Sequence, residues 1–222
     1  MQAWPGLPLY MVGMTLLFFV LAPAGLLRAI LGQFGFVAGD LDGPGTVPTL
    51  FATTMSTASA FDIWQIDVDW GAQNASANRI AAIPITAYDA DLCSASREAC
   101  IPQPNGGPAL EAIADRLMHR LQIRDFGTYK TMVTGHTVDV GNGRAGIRWY
   151  EMRNLNDGNG WFVYQQGTYA PDSDHRWMGS IAMDATGNIA LGYSVSSETT
   201  YPSIRYAGRL AGDPLNTLPQ AE

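Results

Sequence analysis

Segments that read as β-strands recur in the second half of this chain at nearly constant intervals, and that recurrence narrows the possible folds more than any other feature. Trp177–Val195 reads as a hairpin: an apolar run as far as Asp184, a turn, and a second apolar run from Ile189. Gly187 and Asn188 accept the positive φ that a tight turn requires. Met132–Tyr150 repeats the pattern around Gly141, Asn142 and Gly143. Asp139 and Asp184 are 45 positions apart and Trp149 and Tyr193 are 44 apart. A further segment follows each hairpin, Trp161–Gln166 in one copy and Ser203–Arg209 in the other, with starts 42 apart. Repeats of about 40 to 50 residues, each a small antiparallel sheet, are the mark of a β-propeller, whose blades cover one another's faces.

A more diverged unit precedes these two, with strands expected at Phe51–Met55, Ile63–Trp70 and Arg79–Thr86. The middle one alternates as a half-buried strand does. The expected fold is therefore all-β: a partial or open β-propeller of about three antiparallel blades over residues 40–222, with an apolar N-terminal helix ahead of it. Closed propellers have about four to eight blades, so this reading expects further blades or a second copy to complete the ring. An insertion between the first two units holds Cys93 and Cys100 and the Pro/Gly-rich stretch Ile101–Pro108. A disulfide between the two cysteines would close a small loop and imply an oxidising compartment. From Leu110 onward the apolar spacing fits either a helix or a strand. The repeat frame predicts a short helix over Leu110–Asp115, then a strand over Leu117–Arg124 that closes the first unit.

No charged side chain occurs before Arg28, and Leu7–Leu27 is apolar enough and long enough to cross a bilayer. The run ends at Ala22, Pro23 and Ala24, a small-residue pattern of the kind that precedes a signal cleavage site. Residues 1–31 are accordingly expected to be a signal peptide, a membrane anchor or the remnant of a missing blade. Membrane contact is expected only through residues 7–27, and the localisation is secreted or extracytoplasmic. With 13 Lys+Arg against 20 Asp+Glu the net charge is −7, which opposes nucleic acid and anionic headgroups as partners. Aromatic residues at 10% argue against disorder.

The densest group of chemically capable side chains is Asp172, Asp174, His175 and Arg176 in the loop before Trp177. It reads as a cradle for a polar ligand with Trp177 as a stacking wall. The plainer reading has Asp174 capping a turn, Arg176 pairing with it and Trp177 in the core. His136 stands in an expected inner strand, either facing a central channel as an acid/base or hydrogen-bonded in the core. Arg148 and Arg205, with Tyr206 and Glu151 nearby, are the residue types of a carboxylate clamp and a glycosidase nucleophile pair. Their strand positions favour pairing between blades instead. The chain has no His-Glu-x-x-His, nucleophile elbow or phosphate loop, so neither metal nor cofactor is expected.

The stretch His175–Ser194, together with Ala145–Glu151 and Pro202–Arg209, resembles blades of exported bacterial β-propellers of the sialidase-like, Asp-box-like superfamily. The resemblance covers roughly Asp40–Glu222 and implies a fold and an exported location rather than an activity. The function expected is that of an extracytoplasmic module for binding or interaction, with a glycan or another protein as partner. Whether the chain is an enzyme stays open: one alternative is a sialidase-like glycan hydrolase whose active site is incomplete in this chain. Another is a structural surface protein.

Overall fold

The computed structural model describes residues 37–42, 49–69, 74–93, 99–114 and 116–220; the helix, signal or anchor expected over residues 1–31 lies outside the described residues. Within them the chain is all-β, and no helix is long and apolar enough to cross a membrane. A first antiparallel sheet is made by β1 (Val37–Asp42), β2 (Thr49–Thr57), β3 (Ala60–Asp69) and β4 (Asn74–Pro84). The insertion supplies a two-stranded ribbon, β5 (Ala99–Ile101) and β6 (Leu110–Glu111). A middle antiparallel sheet follows, from β7 (Leu121–Asp125), β8 (Lys130–Asp139), β9 (Ala145–Asn154) and β10 (Trp161–Tyr169). The last sheet contains β11 (His175–Met183), β12 (Ile189–Ser196) and β13 (Ser203–Arg209). Strands β1 and β7 pair in parallel, with Gly39 opposite Leu121, and so join the first two sheets along one edge.

The three larger sheets are stacked, and the middle one is buried on both sides. Every residue from Thr131 to Val138 in β8 and from Ala145 to Met152 in β9 is buried, where a half-exposed strand would alternate. Met132, Tyr150 and Met152 pack against Phe61, Ile63 and Ile83 of the first sheet. Val133, Ile147 and Trp149 pack against Ile181, Leu191 and Tyr193 of the last. The last sheet alternates as expected for a sheet with one covered face: Ile181 and Met183 are buried, while Ser180 and Ala182 are exposed. Gly167 is required where β10 passes the indole of Trp149, because a Cβ there would lie 2.9 Å from Nε1 and 2.7 Å from the Asn216 carbonyl oxygen.

The strands expected from the sequence repeat form, but the two copies do not hold equivalent places. Met132–Asp139 lies in the second strand of a four-stranded sheet, whereas Trp177–Met183 lies in the first strand of its own. Across the interface Met178 N–H donates to Thr137 Oγ1 (3.2 Å) and Thr131 Oγ1 donates to Met183 Sδ (3.5 Å), so β11 runs antiparallel to β8. It therefore runs in the same sense as β7 and β1. The side-chain amide of Gln122 on β7 fixes the end of β11 from both sides, donating to Met183 O (3.0 Å) and accepting from Met183 N–H.

The short helix expected over Leu110–Asp115 is not formed. Leu110 and Glu111 instead pair with Ile101 and Ala99, and Ala112 and Ala114 are buried beside Trp177. The disulfide between Cys93 and Cys100, with Cα atoms 5.3 Å apart, anchors β5 at Cys100, and the β5–β6 ladder takes up Leu110 and Glu111 in place of a helix. The following strand forms over Leu121–Asp125, while Leu117 packs in the first core without joining it.

Ile147 is fully buried at the centre of the interface between the middle and last sheets. Ile147→Ala is expected to lower unfolding free energy by about 2–5 kcal/mol, read from urea or guanidinium titration. A loss under about 1 kcal/mol would show that this interface is not packed as a core.

Candidate functional site

The loop before β11 is organised by its own acidic residues. Asp172 accepts from Asp174 N–H (2.8 Å) and takes both arms of the Arg176 guanidinium, at 2.6 and 2.9 Å. Arg176 is 1% exposed, and this two-pronged pair is what allows it to stay charged there. Burial is the largest single influence and opposes its protonation, but the hydrogen bonds that Arg176 donates to Asp172 and Tyr193, with the Asp172 charge, together outweigh burial and raise its pKa further. The bond from Arg176 holds the Asp172 carboxyl below its ordinary range. The partner of Arg176 is thus Asp172, and Asp174 is used elsewhere: its Oδ2 accepts from Thr200 Oγ1 at 2.8 Å.

His175 accepts the N–H of Ala145 on Nδ1 (3.2 Å), which leaves the ring proton of the neutral side chain on Nε2. Burial and the neighbouring Arg144 push its pKa down. Trp177 is 4% exposed and packs with Leu92, Ile101, Ala112, Ala114 and Ala145. Its burial removes it as a stacking wall, since no face of the indole is open to a ligand. The structure therefore brings Asp172, Asp174, His175 and Arg176 together as expected, and sends Trp177 into the core beneath them.

His136 lies elsewhere, sealed between the first and middle sheets at 0% exposure. Its Nε2 is 3.0 Å from Tyr150 Oη, its Nδ1 is 3.2 Å from Thr137 O, and the rings of Tyr88 and Tyr150 lie against it. Burial lowers its pKa to about 3, so it is neutral and structural at physiological pH. Arg148 stands in the same region and donates to Gln166 Oε1 (2.7 Å) and Thr168 Oγ1 (3.0 Å). Arg148 and Arg205 are in different sheets and do not form a clamp. Glu151 is buried against Arg153 (2.6 Å) and Gln165 (2.5 Å), and Tyr206 is on the open face of the last sheet.

The hairpin turns repeat one device. Asp184 accepts from the N–H groups of Thr186 and Asn188, and Asp139 accepts from those of Gly141 and Gly143. Gly187 supplies the left-handed residue in the second turn, at φ 88°. Desolvation is the largest single influence and pushes the Asp184 carboxyl up, but the four bonds from Thr186 and Asn188 together outweigh it and hold its pKa at about 2. Both turns are structural, because each carboxylate is spent on its own loop.

Residues of the insertion and of the β12–β13 loop, outside the Asp172–Arg176 cluster, complete the site at this end of the last sheet. Ser196 Oγ donates to Pro102 O (2.7 Å) and Asn105 Nδ2 donates to Tyr201 Oη (2.8 Å), which ties the insertion to the β12–β13 loop. Arg144 donates to Asp172 O and ties the β8–β9 turn to the same place. A groove of about 390 Å³ lies between the insertion and the loop, lined by Gln103, Asn105, Gly106, Gly107 and Glu198. Tyr201, 65% exposed, stands beside it through its bond to Asn105. Only the disulfide loop and the Pro/Gly-rich composition hinted at this placement, since the partners are about 96 positions apart. Comparison with protein-family models, with curated proteins and with solved structures found no match for this chain.

An unfolded histidine titrates near pH 6.5, whereas folded His136 stays neutral down to about pH 3. Below about pH 6.5 the unfolded chain binds a proton that the folded chain refuses. Stability contributed by neutral His136 is therefore full above that pH and falls by about 1.4 kcal/mol per pH unit as pH drops toward 3. Denaturant midpoints measured from pH 7 to pH 4 are expected to show this slope in the wild type and a shallower one in His136→Gln. Equal slopes would assign the acid sensitivity to other groups.

Proposed function

We propose that this chain is an extracytoplasmic binding module, built as part of a β-propeller, that takes a glycan at the loop end of its last sheet. The observation that carries the ligand class is the exposed Tyr201 ring, hydrogen-bonded to Asn105 beside a groove lined by Gln103, Asn105 and Glu198. Sugars present an apolar C–H face and a fringe of hydroxyls. An aromatic side chain with a polar tip offers a surface for the first, and amides and a carboxylate offer acceptors and donors for the second. His175, with its Nε2 proton turned away from the Ala145 bond, and Asp174 belong to the same loop end through Thr200.

The propeller reading is supported by strand direction. β1, β7 and β11 run in one sense, as the inner strands of successive blades do, which makes the blades β1–β4, β7–β10 and β11 onward. The unit then begins one strand earlier than the sequence repeat suggests. Burial of the middle sheet on both faces suits a blade between two others. The Cys93–Cys100 bridge suits an oxidising compartment.

Glycan-array screening followed by titration calorimetry tests the site. Wild type is expected to bind, and Tyr201→Ala and Glu198→Gln are expected to weaken binding about tenfold or more with unchanged circular dichroism. Absence of binding to any glycan, or full affinity in Tyr201→Ala, would overturn the reading.

A further inference from the structure

Strands β12 and β13 reproduce β8 and β9 at a spacing of 57 positions, in pairing as well as in sequence. Val133–Val138 (Val-Thr-Gly-His-Thr-Val) matches Ala190–Val195 (Ala-Leu-Gly-Tyr-Ser-Val), and Ile147–Trp149 (Ile-Arg-Trp) matches Ile204–Tyr206 (Ile-Arg-Tyr). Gly135 lies opposite Trp149 and Thr137 opposite Ile147. Gly192 lies opposite Tyr206 and Ser194 opposite Ile204 in the same way. The two pairs differ in what covers them. In the middle sheet this face meets the last sheet: Ile147 and Trp149 are 0% and 1% exposed, and β11 passes so close that a Cβ on Gly179 would lie 2.9 Å from the Ile147 side chain. In the last sheet the matching Ile204 and Tyr206 are 85% and 69% exposed.

The outer face of the last sheet is suited to the same kind of cover. It presents Ala182 from β11, Ala190, Gly192 and Ser194 from β12, and Ile204 and Tyr206 from β13, none of them charged. Arg205 alternates to the other side with Ala207, which is buried toward the middle sheet. A groove of about 420 Å³ on this face, lined by Ala182, Ala190, Tyr206 and Leu210 and bounded at the hairpin end by Asp184 and Asn188, has room for a side chain of a covering sheet. The face is separate from the edge of β13, where Gln220 bonds Gly208. What covers such a face is shown once inside the chain. The sheets stack in order, the trailing face of each meeting the leading face of the next. The trailing face of the last sheet and the leading face of the first remain, and among the described residues no sheet covers either. Phe61 and Ile63 face the middle sheet, so Asp62 belongs to that leading face. There Asp62 pairs with Arg79 at 2.6 Å, Trp64 stands opposite Arg79, and Ile80 beside it is 44% exposed. The two charges of this face are spent on each other.

We propose that a second copy of this chain covers the trailing face of β11–β13 with the leading face of its own first sheet, and receives the same contact in return. The seam continues the stack by repeating the interface between the middle and last sheets, with Ile204 and Tyr206 in the places of Ile147 and Trp149. Each copy gives one face and takes the other, so the pair is two-fold symmetric and saturates at two copies. Two sets of three blades give a ring of six, within the about four to eight of closed propellers. Two sheet-on-sheet seams belong with the larger interfaces, of about 2,000 Å² or more, and the dimer is expected to hold at micromolar concentration. This inference rests on the propeller reading above and is independent of the glycan site, which lies at the loop end.

Sedimentation velocity of the full chain from about 0.1 to about 100 µM tests it, a range that spans tight to weak association. The wild type is expected to be a dimer from about 1 µM upward, with no larger species. Ile204→Lys and Ile80→Lys, one on each face of the seam, are each expected to weaken association about a hundredfold or more. Leu155→Lys, at an exposed apolar position on the β9–β10 turn, is expected to leave it unchanged. Unchanged circular dichroism shows that the variants fold. An equimolar mixture of Ile204→Lys and Ile80→Lys is expected to associate more tightly than either alone, through the one seam whose two faces are intact. A monomer at every concentration would overturn the second copy as the occupant and leave the propeller reading to stand on its strand directions. Loss of the dimer in Ile204→Lys with retention in Ile80→Lys would mean last sheet on last sheet and would sink both. Species that grow beyond two copies would refute the closed pair.

Discussion

Burial of the middle sheet on both faces is the constraint on which the rest of the structure depends. A strand pair with no solvent side must find internal partners for its polar side chains, and β8 and β9 carry several, of which Thr134 Oγ1 and Arg148 Nε have none. His136 is held by Tyr150 and the backbone of Thr137, Arg148 by Gln166 and Thr168, and Glu151 by Arg153 and Gln165. Each of these would be costly if left alone, and each is placed by the strand next to it. The partners come from β10 as often as from β8 and β9 themselves, which explains why the fourth strand of this sheet runs its full length beside β9.

The same economy governs the loops. Asp172, Asp139 and Asp184 all accept backbone N–H groups within their own turns, and Asp172 also neutralises the buried Arg176. The acidic residues that gave the loop before β11 its functional appearance are therefore largely engaged in building it. What remains open to solvent at this end is contributed by two segments distant in sequence, the insertion and the β12–β13 loop, joined by Ser196 to Pro102 and by Asn105 to Tyr201. The disulfide matters here because it fixes the ribbon of β5 and β6, and the ribbon holds the loop at Pro104–Gly106.

Strand positions were legible because alternation and turn chemistry are local. Trp177–Met183, Ile189–Val195, Met132–Asp139 and Ile63–Asp69 all form where their side-chain period places them, and Gly187 turns the chain as a glycine at positive φ should. The helix expected over Leu110–Asp115 failed for the opposite reason. Its apolar spacing fitted two periods, and the choice was made by a pairing with Ala99–Ile101, a strand that contains Cys100 of the disulfide. Trp177 was ambiguous in the same way: an aromatic next to a polar loop is a ligand wall or a core residue according to what covers it, and Leu92 and Ile101 cover it.

From the residues alone follow the all-β class, the hairpins, the small disulfide loop and the acidic, weakly charged surface, since each rests on period, turn geometry or composition within a few residues. The order of the sheets was decided only in three dimensions. Two hairpins of similar sequence, about 45 positions apart, came to occupy the second and first strands of their sheets and to cross antiparallel. Sequence similarity specifies which face of a hairpin is apolar, but not which other apolar face will cover it. That choice belongs to long-range contacts such as Gln122 with Met183 and Ile147 with Leu191.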